Sequence, residues 1–160
     1  MEKIIKIKTS SLEFLQLVFE MKIIMNQLNR SEKIVMMSEA VNEAESYFTE
    51  NRSVFVYKIK DKMVGYSVIK VEDRVCWLDW LYVDPDYQGK EVASKLFDHA
   101  EEFAMKLGNE QLYIWVHPDN HRMLKFLKKK GYDVLNLIEV KKEKSVINSS
   151  ISILGNELRY

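Results

Sequence analysis

The sequence has few of the residues that build disulfides and metal sites. Its single cysteine, Cys76, excludes an internal disulfide and a metal cluster held by cysteines. Its three histidines, His99, His117 and His121, are too few and too scattered to indicate a metal centre. We therefore expect a protein without a metal ion.

An excess of one charge and long apolar runs are also missing. The 24 basic residues balance the 24 acidic ones, so the charge does not favour binding to nucleic acid. No apolar run reaches the length of a membrane span, and the N-terminus lacks the apolar core of a signal peptide. We expect a cytoplasmic protein with one domain over residues 1–160, and neither nucleic acid nor a membrane as partner.

The stretch 75–108 is the one around which the chain is organised. Val75–Val83 is aromatic, aliphatic and β-branched, which predicts a buried strand. Asp84-Pro85-Asp86 is typical of a turn. A helix then opens at 88–90, carries apolar residues at three- and four-residue spacing, and ends at Gly108.

This strand–loop–helix pattern predicts an anion site. The first amide groups of a helix have no partner within it, and the helix dipole is positive there. Gly89 allows a ligand close to the backbone, and Lys90 adds a positive charge. The expected ligand is a phosphate or pyrophosphate. The alternative is an ordinary helix start with water on those amides.

The remaining pattern predicts the element order β-α-α-β-β-β-α-β-α-β-β. Besides the central stretch, we expect strands at 3–8, 54–59, 63–71, 111–116, 132–140 and 145–154, and helices at 12–28, 36–50 and 120–130. Gly65 lies inside a strand pattern, which indicates a bulge or a close backbone approach. The last strand carries Ile147, Ile151 and Ile153 on one face, so we expect a homodimer through that strand or the tail.

Two segments resemble the motifs of the GNAT family of N-acetyltransferases. VDPDYQGKEVASKLF is similar to the coenzyme A motif Gln/Arg-x-x-Gly-x-Gly/Ala, with Gln88 first, Ala93 last and Glu91 where the family has glycine. HPDNHRMLKFLKKKGYDV is similar to the second motif, in which an Asn opens a helix that ends in Lys-x-Gly-Phe/Tyr; the matches are Asn120, Lys129, Gly131 and Tyr132. The resemblance covers residues 50–140 well and the ends in outline.

The resemblance implies an α/β fold. It is a twisted, mostly antiparallel mixed sheet flanked by helices, with a central parallel strand pair around Leu81 and Trp115 that splays apart to admit a cofactor. It also implies an N-acetyltransferase that moves an acetyl group from acetyl-CoA to a primary amine of a small molecule or a protein N-terminus. The alternatives are a module that binds and senses acyl-CoA without turnover, and a domain whose cleft is vestigial.

The resemblance also implies where acetyl-CoA binds. Its pyrophosphate is expected on the loop and helix start, at Gln88, Gly89, Lys90, Glu91, Val92, Ala93 and Ser94. Its pantetheine is expected along the backbone of Leu81, Tyr82 and Val83. Asn120 matches the family residue near the pantetheine, although a helix cap is the rival interpretation. For Glu91 we favour a favourable contact with the helix dipole over repulsion of the pyrophosphate.

The catalytic and acceptor residues are open to two interpretations each. Asp79 is the first candidate for the general base, against a surface carboxylate. His117 is the second, against a loop or capping histidine. Leu127 stands where the family usually has a tyrosine that protonates the leaving thiolate. Met25, Trp80 and Trp115 are candidates for acceptor binding, against a role in the core.

Overall fold

The computed structural model describes residues 1–109, 112–142, 147 and 149–159. It divides into two compact units, Met1–Leu124 and Lys125–Tyr160. The single domain over 1–160 stays a prediction. None of the described helices combines the length and the apolar composition that crossing a membrane requires.

The first unit contains a five-stranded sheet in the order β1-β2-β3-β4-β5. Its strands are β1 Glu2–Ile7, β2 Arg52–Ile59, β3 Lys62–Glu72, β4 Val75–Val83 and β5 Leu112–Ile114. All neighbours are antiparallel except β4 and β5, which are parallel. The predicted fold, a mostly antiparallel sheet with one parallel pair and flanking helices, is confirmed. Gln111, where we expected β5 to begin, lies outside the described residues.

Three helices lie in the first unit: α1 Leu12–Leu28, α2 Met37–Ser46 and α3 Val92–Lys106. Helix α4, His121–Lys129, begins in the first unit and ends in the second. Helix α1 has the predicted bounds, and its first turn is capped by Ser11, whose Oγ accepts from the Phe14 amide at 3.3 Å. Helix α2 is shorter than the predicted 36–50. It ends before Tyr47 and Phe48, whose rings pack edge-on against Phe14 at centroid distances of 6.5 and 6.0 Å.

The sheet separates two apolar clusters. On one side, called here the helix-pair side, α1 and α2 pack on the sheet around Phe14, Val18 and Tyr66. On the other, the α3 side, Val92 and Leu96 pack against Val64. Strand β4 therefore alternates near its end: Trp80 and Tyr82 face the helix-pair side, while Leu81 and Val83 face the α3 side.

Gly65 in β3 is needed because another backbone lies against it. A Cβ atom at this position would lie 2.8 Å from the carbonyl oxygen of Tyr82, closer than any real contact. The predicted close approach is confirmed, and it lets β3 and β4 stay paired at Gly65 and Val83.

The second unit contains a two-stranded hairpin, β6 Ser150–Ile153 with β7 Asn156–Arg159. The predicted strand at 132–140 is wrong, since these residues form no strand. Their apolar pattern has no strand partner there, and Val134, Leu135 and Leu137 are at least 69% exposed. The predicted strand at 145–154 begins at Ser145, outside the described residues, and its described part is shorter than expected. The homodimer stays a prediction.

Candidate active site

The two parallel strands separate after a short paired stretch. Pairing runs from Cys76–Leu112 to Leu78–Ile114, where β5 ends, while β4 continues to Val83. The predicted splayed pair is confirmed. Among the described residues, the β5-facing edge of β4 from Asp79 onward has no strand partner, so a ligand that binds like a strand can pair with it. The Val83 carbonyl at its end already accepts from the Gln88 side chain.

A β-bulge begins this open stretch. Val68 of β3 lies opposite Trp80 and Ile69 opposite Leu78, so Asp79 between them has no opposite residue. Bulges redirect side chains, and they are frequent beside active sites. The bulge places Asp79 where β4 leaves β5.

The loop after β4 leads into the start of α3. A single 3-10 turn at Pro85–Tyr87 is capped by Asp84, whose Oδ1 accepts from the Asp86 amide at 3.0 Å. Gly89 and Glu91 then adopt positive φ angles of 75° and 62°. The first four amide groups of a helix have no carbonyl partner within it. Those at the start of α3 are called here the amide cradle, and their role as an anion site stays a prediction.

Two lysine side chains lie beside this cradle. Lys90 Nζ donates to the Asp86 carbonyl at 3.0 Å, and Lys62 Nζ donates to Asp84 Oδ2 at 3.2 Å. Both ammonium groups lie over the ring of Tyr87, that of Lys62 at 4.8 Å and that of Lys90 at 4.9 Å from its centroid. The hydrogen bond to Asp84 raises the pKa of Lys62. Sequence analysis found Lys90 but missed Lys62, because Lys62 reaches the loop from β3.

Gln88 ties the loop to the end of β4. Its Nε2 donates to the Val83 carbonyl at 2.9 Å, and its Oε1 accepts from the guanidinium of Arg122. Arg122 was not singled out in the sequence and brings another positive charge to Gln88. Asn120 acts as a helix cap, because its Oδ1 accepts from the Met123 amide at 3.1 Å. Its contact with pantetheine stays a prediction.

Tyr82 points away from the α3 side. Its hydroxyl donates to Glu20 Oε2 at 2.9 Å. Burial, and then this hydrogen bond to a carboxylate, raise the pKa of Tyr82 well above its ordinary range. Tyr82 therefore holds its proton tightly and is a poor proton donor.

Asp79 is held by a guanidinium group. Arg52 Nε donates to Asp79 Oδ2 at 3.0 Å, and the same guanidinium donates to the Ser46 carbonyl at 3.3 Å. The Asp79 side chain is only 16% exposed. It is thus an oriented, mostly buried carboxylate whose Oδ1 lies outside that bond, and its role as general base stays a prediction.

His117 lies in the turn before α4. Its Nδ1 accepts from the Asp119 amide at 3.1 Å, and its carbonyl accepts from the Asn120 amide at 2.8 Å. These two bonds hold His117 in the turn, as the capping interpretation expects. Its role as the second candidate base stays a prediction.

A cleft opens between α1, α2 and β4. This helix-pair cleft has a volume of about 180 Å³ and is lined by Met21, Lys22, Met25, Asn26, Asn29, Lys33, Val35, Glu39, Glu43 and Trp80. It brings together Met25 and Trp80, two of the three predicted acceptor residues. Trp115 is not among its lining residues; it is 72% exposed and packs on Trp77 at a centroid distance of 5.1 Å.

The charged residues of the helix-pair cleft were missed in the sequence. Lys22 pairs with Glu43 at 3.2 Å, and Lys33 pairs with Glu39 at 2.6 Å. They come from α1, the following linker and α2, so no local motif connects them. Leu127, at the position of the family tyrosine, is buried with 5% exposure.

Comparisons with known proteins agree with this architecture. The family model described as Acetyltransferase (GNAT) family matches residues 21–132. An uncharacterized N-acetyltransferase of Methanocaldococcus jannaschii is 27% identical over 92 residues, which are 53% of this chain and 41% of that protein. The match thus spans less than half of the relative's length.

Two solved structures share the fold. An integron cassette protein of V. cholerae has a TM-score of 0.72 at 17% identity, over 90% of this chain and 93% of its own. AAC(6')-Iy, in complex with the bisubstrate analogue CoA-S-monomethyl-acetylneamine, has a TM-score of 0.67 at 13% identity, over 91% and 99%. Because the family model covers well over half of the sequence, the chain belongs to the acetyltransferase (GNAT) family.

Proposed function

We propose that the protein transfers the acetyl group of acetyl-CoA to a primary amine of a small molecule or a protein N-terminus. The observation that carries the proposal is the open edge of β4 beside the amide cradle of α3. The open edge is suited to an extended chain with amide groups, and the cradle is suited to a pyrophosphate. Acetyl-CoA has these two parts next to each other, as its pantetheine arm and its pyrophosphate.

The cofactor would lie across the α3 end of the sheet. Backbone amides from Gly89 to Ser94 would hold the pyrophosphate, with the charges of Lys90 and Lys62 beside it. The open edge of Leu81–Val83 would hydrogen-bond the pantetheine amides. Gln88, joined to Val83 and Arg122, would keep the loop and strand end in register.

The chemistry would proceed at the bulge. The acceptor amine must first lose its proton, and Asp79 is the candidate to take it, directly or through a water molecule. The amine nitrogen then forms a bond to the thioester carbon, and a backbone amide of β4 would stabilise the negative charge that grows on the carbonyl oxygen. Cleavage of the C–S bond releases coenzyme A as a thiolate.

The leaving thiolate has no tyrosine donor at the usual position. The side chain of Leu127 has no ionisable proton. The Tyr82 hydroxyl holds its proton tightly, because burial and the hydrogen bond to Glu20 raise its pKa. A thiol has an ordinary pKa of about 8.5, so a thiolate is an adequate leaving group that solvent can protonate afterwards. The proposal therefore needs no dedicated acid.

Two measurements test the proposal. Titration calorimetry with acetyl-CoA should show binding, and free-thiol release in the presence of an amine panel should show turnover. Binding with no thiol release from any amine would favour the alternative of a module that senses acyl-CoA. Absence of binding would contradict both.

A further inference from the structure

The helix-pair cleft carries balanced charges. Lys22 on α1 and Lys33 in the linker after α1 contribute two positive charges, and Glu39 and Glu43 on α2 contribute two negative charges. The amides of Asn26 and Asn29 line the same cleft. Each lysine is paired with one glutamate, so the cleft is neutral but strongly polar.

These ion pairs are weak enough to be opened by a ligand. The Lys22 and Glu43 side chains remain 24% and 25% exposed, and exposed ion pairs contribute at most about 1 kcal/mol. Glu39 is held ionised, because its bonds to Lys33 and to the Met36 amide lower its pKa. The cleft therefore offers separate cationic and anionic partners.

One residue of the cleft is the sequence neighbour of the proposed general base. Trp80 lines it and follows the bulge residue Asp79 directly in β4. A ligand in the cleft would thus lie on the helix-pair side of the strand along which acetyl-CoA is proposed to bind.

We infer that the helix-pair cleft binds a compact zwitterion, an amino acid with a free ammonium and a free carboxylate, as the acetyl acceptor. This inference rests on the proposed function. The ligand carboxylate pairs with Lys22 and its ammonium with Glu43, so a zwitterion replaces the internal pair without leaving any charge unpaired.

More cationic amines fit less well. The ammonium groups of a polyamine or aminoglycoside can pair with Glu39 and Glu43, but they supply no carboxylate for Lys22 and Lys33. Such a ligand leaves both lysines beside added positive charge, and like-charge contacts select against a partner. Charge therefore favours an amino acid over a polyamine or an aminoglycoside.

The test compares each amino acid with the amine that remains after its carboxyl group is removed. Binding of lysine and 1,5-diaminopentane, valine and 2-methylpropylamine, and the other standard pairs is measured by calorimetry, with and without coenzyme A. At least one amino acid should bind about tenfold more tightly than its decarboxylated amine. Lys22→Met should remove that preference.

Lys70→Met is the matched control. Lys70 is also ion-paired, with Glu72, and its side chain is 21% exposed, close to the 24% of Lys22, but it does not line the cleft. The control should keep the wild-type preference for the carboxylate.

Three results would overturn the inference: no binding of any amino acid, equal or tighter binding of the decarboxylated amines, or an equal loss in Lys22→Met and Lys70→Met. Binding of amino acids without coenzyme A is independent of acetyl transfer. A protein that binds amino acids in this way but neither binds nor consumes acetyl-CoA would therefore disprove the proposed function and leave the cleft assignment standing.

Discussion

The amide cradle at the start of α3 and the helix-pair cleft are two proposed binding regions on either side of the same strand, built by different means. The cradle is one contiguous stretch, 88–94, whose groups are mainly backbone amides. The cleft is assembled from side chains of α1, the following linker, α2 and β4. The cradle appears as a motif in the sequence, and the cleft does not.

This difference also sets what each region tolerates. A backbone cradle survives a change of side chain as long as the backbone keeps its conformation, which explains how Glu91 can occupy the place of a family glycine. Glu91 does adopt the left-handed conformation, with φ of 62°. The inferred recognition in the cleft rests on the side chains of Lys22 and Glu43 themselves, so a single substitution there should change it.

The largest expected effect tests whether chemistry and cofactor binding are separate. Asp79→Asn should lower turnover by about 10²–10⁴-fold, the usual contribution of a general base. Affinity for acetyl-CoA should change little, because the cradle lies elsewhere on the chain. Steady-state kinetics and calorimetry measure the two quantities. Wild-type turnover with an unchanged pH profile would show that the base is another group.

The next effect concerns the cradle alone. Gly89→Val should weaken acetyl-CoA binding by at least about tenfold, since φ of 75° is unfavourable for a β-branched residue and the loop must shift. A Cβ atom there meets nothing within 4 Å, so the protein should still fold. Amino acid binding in the helix-pair cleft should be unchanged.

Gly108→Val is the matched control for that variant. Gly108, at the other end of α3, has φ of 82° and equally open surroundings. The Gly108→Val variant therefore has a similar backbone strain at a positive φ, but it leaves the amide cradle unchanged. If both variants lose the same affinity for acetyl-CoA, the loss comes from destabilisation and the pyrophosphate assignment is wrong.

A smaller effect, a gain in folding stability, is expected from a substitution at Glu91. Glu91→Gly should raise the free energy of unfolding by about 1 kcal/mol, because glycine adopts a positive φ without strain. Glu91→Ala keeps the strain and removes only the carboxylate. Chemical denaturation and calorimetry on both variants separate backbone strain from charge. A loss of stability in Glu91→Gly would show that the carboxylate stabilises the start of α3 by more than the strain costs.

The smallest effect is a pH dependence on the α3 side of the sheet. His99 packs on Phe55 at a centroid distance of 4.4 Å, and its Nδ1 has no hydrogen-bond partner among the described residues. Burial lowers its pKa below the ordinary value. The unfolded chain thus binds the proton more readily, so stability is present above pH 6.5 and is lost as the pH falls below it.

The size of this effect is limited because His99 is only partly buried. Denaturation at pH 7 and pH 5 should show a loss below about 1 kcal/mol that is assigned to His99. His99→Phe keeps the aromatic contact and should reduce the difference between the two pH values. An unchanged difference would show that other groups cause it.

Local sequence patterns were enough to predict the elements whose formation depends on residues close together in the chain. The bounds of α1 and β4 follow from the spacing of apolar residues, and both match the structure. The turn at Asp84–Asp86 follows from residue chemistry. The free amides at the start of α3 were predictable because the first amides of any helix have no carbonyl partner within it.

Distant pairings could not be predicted. The bond between Arg52 and Asp79 joins two strands, and the pair of Lys22 and Glu43 joins two helices. The strand predicted at 132–140 failed for the same reason, since a strand forms only where another strand pairs with it.

The sequence by itself determined the order of elements from β1 to α4, the position of the α3 start and the family motifs, because each depends on residues within a few positions of one another. Tertiary structure alone decided which carboxylate is held by which cation, which strand edge stays open, and which charges line the cleft. Side-chain contacts between distant segments depend on how helices and strands pack, and packing is a property of the whole folded unit rather than of any short stretch.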